Sequence, residues 1–278
     1  MSQVVAFQGI FWAYSHLACQ ELYPDAVYLP CASFTEAFYA VQGGTADVAV
    51  IPIENSNAGR VADVHFLLSE TPLHITAEYF LPIHHQLLGL PQAQLKDIKK
   101  VHSHPQALAQ CSLFLQKNNI QALPETDTAL SCQQLEEDQD IHSAAIASVA
   151  AAKMYGLKVL ASDIENASNN ATRFLIMSKQ SDVPEKTNEK FITSLIFNTQ
   201  NMPAALYKAL GGFATNKVNI TKLESYLLDG KFVSARFYLE VEAHTEDRAF
   251  QNALAELKFF SDDLVILGTY KAHPYRYV

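Results

Sequence analysis

The chain has 278 residues, 49% of them apolar and 18% charged, with a net charge of −9. That length fits about two domains and leaves ample apolar side chain for buried cores. The acidic balance argues against nucleic acid or an anionic membrane as partner, since both reward a basic surface. A small anionic substrate stays compatible, because a pocket needs only one or two local cations.

Cys19, Cys31, Cys111 and Cys132 show no CxxC spacing and lie in no His-rich cluster. They read as reduced, buried thiols, and no metal site is expected. The start, Met1-Ser-Gln-Val-Val-Ala-Phe7, lacks the basic patch and apolar stretch of a signal peptide. The most apolar run, Ala144 to Ala152, falls short of the roughly 20 residues that span a bilayer. A cytoplasmic protein is the expectation.

Up to about residue 180, short apolar strands alternate with helical stretches, an α/β layer pattern. Strands are expected at Val4–Gln8, Val48–Ile53, His84–Gly89, Lys100–Ser103, Ala144–Ser148 and Phe174–Met177. A helix should follow Ser103, with Ser103 as cap, Pro105 in the first turn, and Leu108, Cys111 and Leu115 facing inward. Another should span Val149–Tyr155, with Gly156 as its left-handed cap. The polar stretch 181–190, with Pro184 and no apolar period, reads as a linker between domains 1–182 and 190–278. Beyond it come strand (Phe191–Asn198), helix (Pro203–Thr215), strand (Asn219–Leu227), a turn at Asp229-Gly230, strand (Phe232–Val241), helix (Glu246–Phe260) and strand (Leu264–Tyr270). That βαββαβ order is the ferredoxin-like plan.

Three polar clusters sit where strands empty into turns. In Ile51-Pro-Ile-Glu-Asn-Ser-Asn-Ala-Gly59, the residues Glu54, Asn55 and Ser56 are placed to meet a polar ligand off a strand end. Plain turn chemistry, with Asn and Ser capping the next helix, explains them equally. In Ser103-His-Pro-Gln-Ala-Leu-Ala-Gln110, Ser103 and the first free N–H groups can hold a carboxylate, and Gln106 and Gln110 share one helix face. The alternative is a capped helix whose glutamines face water. In Asn169-Asn-Ala-Thr-Arg-Phe-Leu-Ile-Met177, Arg173 offers a fork for a carboxylate and Thr172 a hydroxyl beside it. The alternative there is Arg173 paired with a structural acid.

Taken together and in this order, the clusters resemble the prephenate dehydratase family. The match continues through Asp127-Thr-Ala129, Ala145-Ile-Ala-Ser148 and Tyr155-Gly-Leu157, covering nearly all of residues 3–180. The resemblance implies two α/β lobes like those of type II solute-binding proteins. It also implies removal of water and carbon dioxide from prephenate to give phenylpyruvate, without metal or organic cofactor. Thr172 is then the proton donor to the leaving hydroxyl and Arg173 the anchor of the retained carboxylate. Asn55, Ser103 and Gln110 position substrate, with Glu54, Ser56, His104 and Gln106 in weaker roles and Ser15 at the cleft edge. One loop departs from the family: Trp12 in Gly9-Ile-Phe-Trp-Ala-Tyr-Ser15 stands where a second glycine is usual, which strains or reshapes the turn if positive φ is required.

Residues 190–278 resemble an ACT domain, a ligand-binding regulatory module. The signals are Met202-Pro-Ala-Ala-Leu-Tyr207 and Asn219-Ile-Thr-Lys-Leu-Glu-Ser225. The resemblance implies phenylalanine as effector, held by Ala204, Ala205 and Leu206 and by Asn219, Ile220, Glu224 and Ser225 of a neighbouring subunit. The usual glycine is replaced by Ala204, and Leu206, Leu210 and Phe213 read as core. A homodimer or homotetramer is expected. Arogenate dehydratase, a non-catalytic aromatic-acid sensor and a periplasmic solute-binding protein are the competing readings.

Overall fold

The computed structural model of the protein describes residues 2–200, 202–228 and 231–278. In chain order the elements begin β1 (Val4–Gln8), α1 (Tyr14–Leu22), β2 (Val27–Cys31), α2 (Phe34–Gly43), β3 (Val48–Asn55), β4 (Gly59–Arg60), α3 (Ala62–Glu70), β5 (His74–Pro82) and β6 (Gln86–Gly89). They continue with β7 (Lys100–Ser103), α4 (Pro105–Gln110), α5 (Ser112–Lys117), β8 (Gln121–Pro124), α6 (Thr128–Asp138), β9 (Ser143–Ala147), α7 (Val149–Met154), β10 (Lys158–Ala161) and β11 (Ala171–Ser178). The last are β12 (Phe191–Thr199), α8 (Ala205–Thr215), β13 (Asn219–Leu228), β14 (Lys231–Glu242), α9 (Arg248–Phe260) and β15 (Ser261–Lys271). Two compact units emerge: residues up to Val61 with Phe80–Phe174, and Ala62–Tyr79 with Leu175–Val278. The chain passes between them within β5 and β11.

The first unit carries the α/β layers expected from the alternating pattern. One sheet has the order β2-β1-β3-β11-β5, with β4 on β3, and β1 runs parallel to both β2 and β3. The other has the order β10-β6-β9-β7-β8, with β7 parallel to β8 and β9. Its central strand β9 is buried at every position, and after Ser143 it reads as an apolar run of Ala144, Ala145, Ile146 and Ala147. Leu87, Leu88, Val101, Leu108, Cys111 and Leu115 fill the core around it. The helix expected after Ser103 breaks at Cys111 into α4 and α5, yet keeps Leu108, Cys111 and Leu115 inside. Ser103 does not cap it. His104 is the cap, its Nδ1 accepting from the Gln106 N–H at 3.3 Å, while the Ser103 hydroxyl donates to the Ile146 carbonyl at 2.6 Å. Gly156 does hold the left-handed position after α7, at φ +63°.

The four cysteines are unpaired and buried. Burial raises the thiols of Cys19, Cys111 and Cys132 to about 12, and that of Cys31 in the same direction.

In the second unit, β12, α8, β13, β14, α9 and β15 form the βαββαβ succession, with antiparallel order β13-β14-β12-β15. Phe213, Phe250 and Leu257 of the helices pack on Leu195, Phe197 and Leu239 of the sheet. Leu206 and Leu210 join this core from its margin. The turn expected at Asp229-Gly230 lies outside the described residues. Segment 62–79 packs on the sheet as well. His65 meets the Tyr238 ring edge-on at 5.1 Å, and β5 runs so close to β15 that a Cβ on Gly268 would overlap the Ile75 carbonyl. Arg276 holds both carboxylate oxygens of Glu78 at 2.6 and 2.7 Å and reaches Glu240 at 2.8 Å. Both carboxylates are sealed from solvent. No helix among the described residues is long and apolar enough to cross a membrane.

Two outcomes follow from this packing. Gly268→Ala should destabilise the protein by about 3 kcal/mol through forced strand separation, read as a lowered denaturation midpoint. A thiol reagent at neutral pH should label none of the four cysteines in native protein and all four after denaturation, because the protonated buried thiol is inert.

Candidate active site

The end of β3 and the start of β11 are clamped together. The Ser56 N–H donates to the Ala171 carbonyl, its hydroxyl donates to the Asn169 carbonyl at 2.8 Å, and the Ala171 N–H returns a bond to that hydroxyl at 3.0 Å. Residues 56–58 therefore do not cap α3. They form a turn, closed by Gly59 at φ +82°, that folds β4 back on β3. Inside this turn Asn55 Oδ1 accepts the N–H groups of Asn57 and Ala58 at 3.0 and 2.9 Å.

That leaves the Asn55 amide nitrogen facing β11. It donates to Asn170 Oδ1 at 2.8 Å, the Ala171 carbonyl at 3.2 Å and Thr172 Oγ1 at 3.0 Å. From α4, Gln110 Nε2 donates to Asn55 Oδ1 at 3.1 Å, and Gln110 Oε1 accepts from Asn170 Nδ2 at 2.9 Å. Three residues expected from separate clusters, Asn55, Gln110 and Thr172, thus share one hydrogen-bonded group. Beside it lies a cavity of about 410 Å³ lined by Gln106, Gln110, Asn57 and Asn166 among others. A larger one of about 770 Å³ lies in the second unit, bordered by α3 and β15, and touches none of these groups.

The other expected residues divide. Arg173 follows Thr172 on the strand, so its side chain points to the opposite face. It is 2% exposed, bonds Glu54 Oε1 at 2.9 Å and lies over the Phe80 ring at 5.9 Å. Phe174 is core. Ser103 is buried behind the site. His104, beside Asp127, has its imidazole pKa lowered by burial. Asp127 caps α6 through the N–H groups of Ala129 and Leu130, and burial raises its carboxyl. Ser15 is half-buried in the first turn of α1. In the second unit, Ala204 sits at φ +58° just before α8, Ala205 is buried and Leu206 half-buried. Asn219, Ile220, Glu224 and Ser225 lie on the edge strand β13.

Trp12 adopts φ +72°, the left-handed region where a glycine is free of penalty, so the turn keeps its shape at a cost of about 1–2 kcal/mol. Its indole packs against the core of the second sheet, and its main-chain N–H donates to His16 Nδ1 at 3.0 Å.

Two members of the site were missed by the sequence reading. His85 Nε2 meets Gln110 Oε1 at 2.8 Å, and His85 Nδ1 meets the Tyr14 hydroxyl at 3.0 Å. Burial lowers the His85 pKa and raises that of Tyr14 well above the usual phenol range. The His84-His85 pair ahead of an apolar strand, with Tyr14 in the first loop, was the available signal.

A family model described as prephenate dehydratase matches residues 5–182. A bifunctional N-acyl-homoserine lactone acylase/prephenate dehydratase of Komagataeibacter europaeus is 42% identical over 99% of this chain and 98% of its own length. The chloroplast arogenate dehydratase/prephenate dehydratase 1 of Arabidopsis thaliana is 40% identical over 96% of this chain and 71% of its own. Among solved structures, a prephenate dehydratase from Arthrobacter aurescens in complex with L-Phe superposes with a TM-score of 0.89, at 30% identity, over 97% of this chain and 90% of that one. On the matched domain and on this likeness along nearly its whole length, the chain belongs to the prephenate dehydratase family.

Proposed function

We propose that the protein converts prephenate to phenylpyruvate, and the observation that carries this is the hydrogen-bonded group in which Gln110 holds Asn55 and Asn55 donates to the Thr172 hydroxyl. The ring carboxylate departs as carbon dioxide, its bonding electrons aromatise the ring, and the C4 hydroxyl leaves as water with the Thr172 proton. Thr172 regains a proton from solvent. A hydroxyl is a weak acid, but aromatisation drives the step, so a positioned donor suffices. Asn55 Nδ2 donates into Thr172 Oγ1, which stabilises the oxygen as it gives up its proton and leaves the hydroxyl hydrogen pointing elsewhere. The departing carboxylate should meet no cation, since gripping it would raise the barrier. Arg173 faces the other side of β11 and bonds Glu54, so in this arrangement it does not meet a carboxylate held at the Thr172 hydroxyl. No metal or organic cofactor enters.

Purified protein should release phenylpyruvate from prephenate. Thr172→Val should lower kcat by about 100-fold or more with KM little changed; near-normal turnover would remove Thr172 from the chemistry. Stronger turnover of arogenate would reassign the substrate, and clear ligand binding without turnover would favour a sensor. The Komagataeibacter relative supports a second reading as an acyl-homoserine lactone acylase. Against it, Ser103 is sealed on the Ile146 carbonyl and the thiols are held protonated. The same preparation tests both.

We further infer that residues 190–278 are an ACT domain, that 1–182 form a two-lobed catalytic domain like a type II solute-binding protein, and that the chain acts in the cytoplasm. The βαββαβ sheet and the L-Phe complex of the Arthrobacter relative support phenylalanine as effector. Edge strand β13 exposes Leu223 and Leu227, which supports pairing into a homodimer or tetramer. Asn219→Ala should raise the phenylalanine concentration for half-inhibition about tenfold, the equivalent of one hydrogen bond to a charged group, while the uninhibited rate stays unchanged.

A further inference from the structure

The hydrogen-bond group around Thr172 has a direction, and that direction can be followed back to an imidazole. Asn55 Oδ1 receives two backbone N–H groups, which can only donate, so this atom is the amide oxygen. The Gln110 atom 3.1 Å from it must then be the amide nitrogen, and the opposite Gln110 atom an oxygen. Asn170 agrees: its oxygen takes the Asn55 N–H, and its nitrogen donates to the same Gln110 oxygen. His85 Nε2 stands 2.8 Å from that oxygen and must carry a hydrogen.

A neutral imidazole with a hydrogen on Nε2 has a bare Nδ1. The Tyr14 hydroxyl lies 3.0 Å from Nδ1 and 2.8 Å from the His84 carbonyl, so with Nδ1 bare its single hydrogen is shared between these two acceptors. Each donor in the series Tyr14, His85, Gln110, Asn55 then points toward Thr172. The opposite tautomer would set a nitrogen lone pair against the Gln110 oxygen. Flipping the Gln110 amide to cure that would set its oxygen against Asn55 Oδ1. Reversal at His85 therefore ends at the amide that orients Thr172.

We propose that His85, carrying its hydrogen on Nε2 with Tyr14 at its Nδ1, is a positioning residue that reinforces, from the far side of Gln110, the polarity that the Asn55 turn sets in the Gln110–Asn55–Thr172 group. This rests on the dehydratase reading for its kinetic consequence, but the tautomer itself does not. His85 is faced by Tyr14 from α1, Gln110 from α4, Glu165 from the segment after β10, whose carboxylate takes the main-chain N–H of His85 at 2.9 Å, and its neighbour His84. Cys111 lies near Tyr14 and is protonated. If the imidazole gains a second proton, Nδ1 becomes a donor. Tyr14 can then accept from it and donate to His84, so Nε2 keeps its hydrogen. Below its pKa, His85 needs no help from Tyr14.

The test has one spectroscopic arm and two kinetic ones. In ¹⁵N-histidine-labelled protein at pH 8, His85 should show a protonated Nε2 and a bare Nδ1; the reverse tautomer overturns the proposal whatever the substrate. With prephenate, His85→Leu should lower kcat about 100-fold while KM moves by no more than about threefold. His85→Gln, whose Nε2 can still donate to Gln110, should recover most of that loss. Tyr14→Phe should lose activity at pH 8 and regain it only toward acid pH, below the ordinary imidazole range because burial lowers the His85 pKa, where the imidazolium carries both hydrogens; a profile parallel to wild type overturns the proposal. So does wild-type kcat in His85→Leu. Should His85→Leu fail to fold, the labelled wild type and Tyr14→Phe decide. If wild type turns over no prephenate, the dehydratase reading fails and the labelled spectrum alone judges the tautomer.

Discussion

The Asn55 carboxamide can point only one way. Two main-chain N–H groups of its own turn hold the oxygen, and the nitrogen is left to face β11. The turn keeps that form because β4 folds back on β3 and Ser56 is tied to both sides of Ala171. Side-chain amides are ambiguous partners by themselves, donor at one end and acceptor at the other. Here backbone geometry settles the ambiguity for Asn55, and Asn55 settles it for Gln110 and Asn170. A site made mostly of neutral groups thereby acquires a definite electrostatic sense without any charged residue at its centre.

Uncharged chemistry suits the transformation. A substrate with two carboxylates, one of which must leave uncharged, is poorly served by a cation at the wrong end. The guanidinium of Arg173 is accordingly on the other face of β11 and engaged by Glu54. The strand's two-residue period separates the hydroxyl from the cation by a single peptide unit, although the two side chains stand on opposite sides of a sheet.

Much of this was legible in the sequence, and the rest fails for identifiable reasons. Apolar runs bounded by turn residues placed β1, β7, β12 and α8 closely, because burial period and turn chemistry are local signals. Ser103 was taken for a cap because serine before proline fits that pattern. Its hydroxyl instead finds the Ile146 carbonyl, 43 positions away, which no local rule foresees. The helix after it breaks at Cys111 although its inner face is continuous. Strands β2, β5, β8 and β10 escaped because they are half-buried or edge positions with mixed polarity. Asn55, Gln110 and Thr172 were found only because three weak clusters stood in one order. His85 and Tyr14 belong to no such cluster, and their membership is set wholly by how two sheets bring β6, α1 and α4 together.

The Arg276 clamp has a consequence for how the protein tolerates shortening. Glu78 and Glu240 are both enclosed, and the guanidinium of Arg276, two positions before Val278, bonds both of them. A chain ending at Tyr275 would have to close over two facing carboxylates. Enclosure without that cation raises a carboxyl's affinity for protons. Such a chain would hold two like charges in an enclosed place without the cation that now bridges them, a penalty that falls on the folded state alone. Three residues at one end thus decide whether acids from β5 and β14 can share one enclosed place.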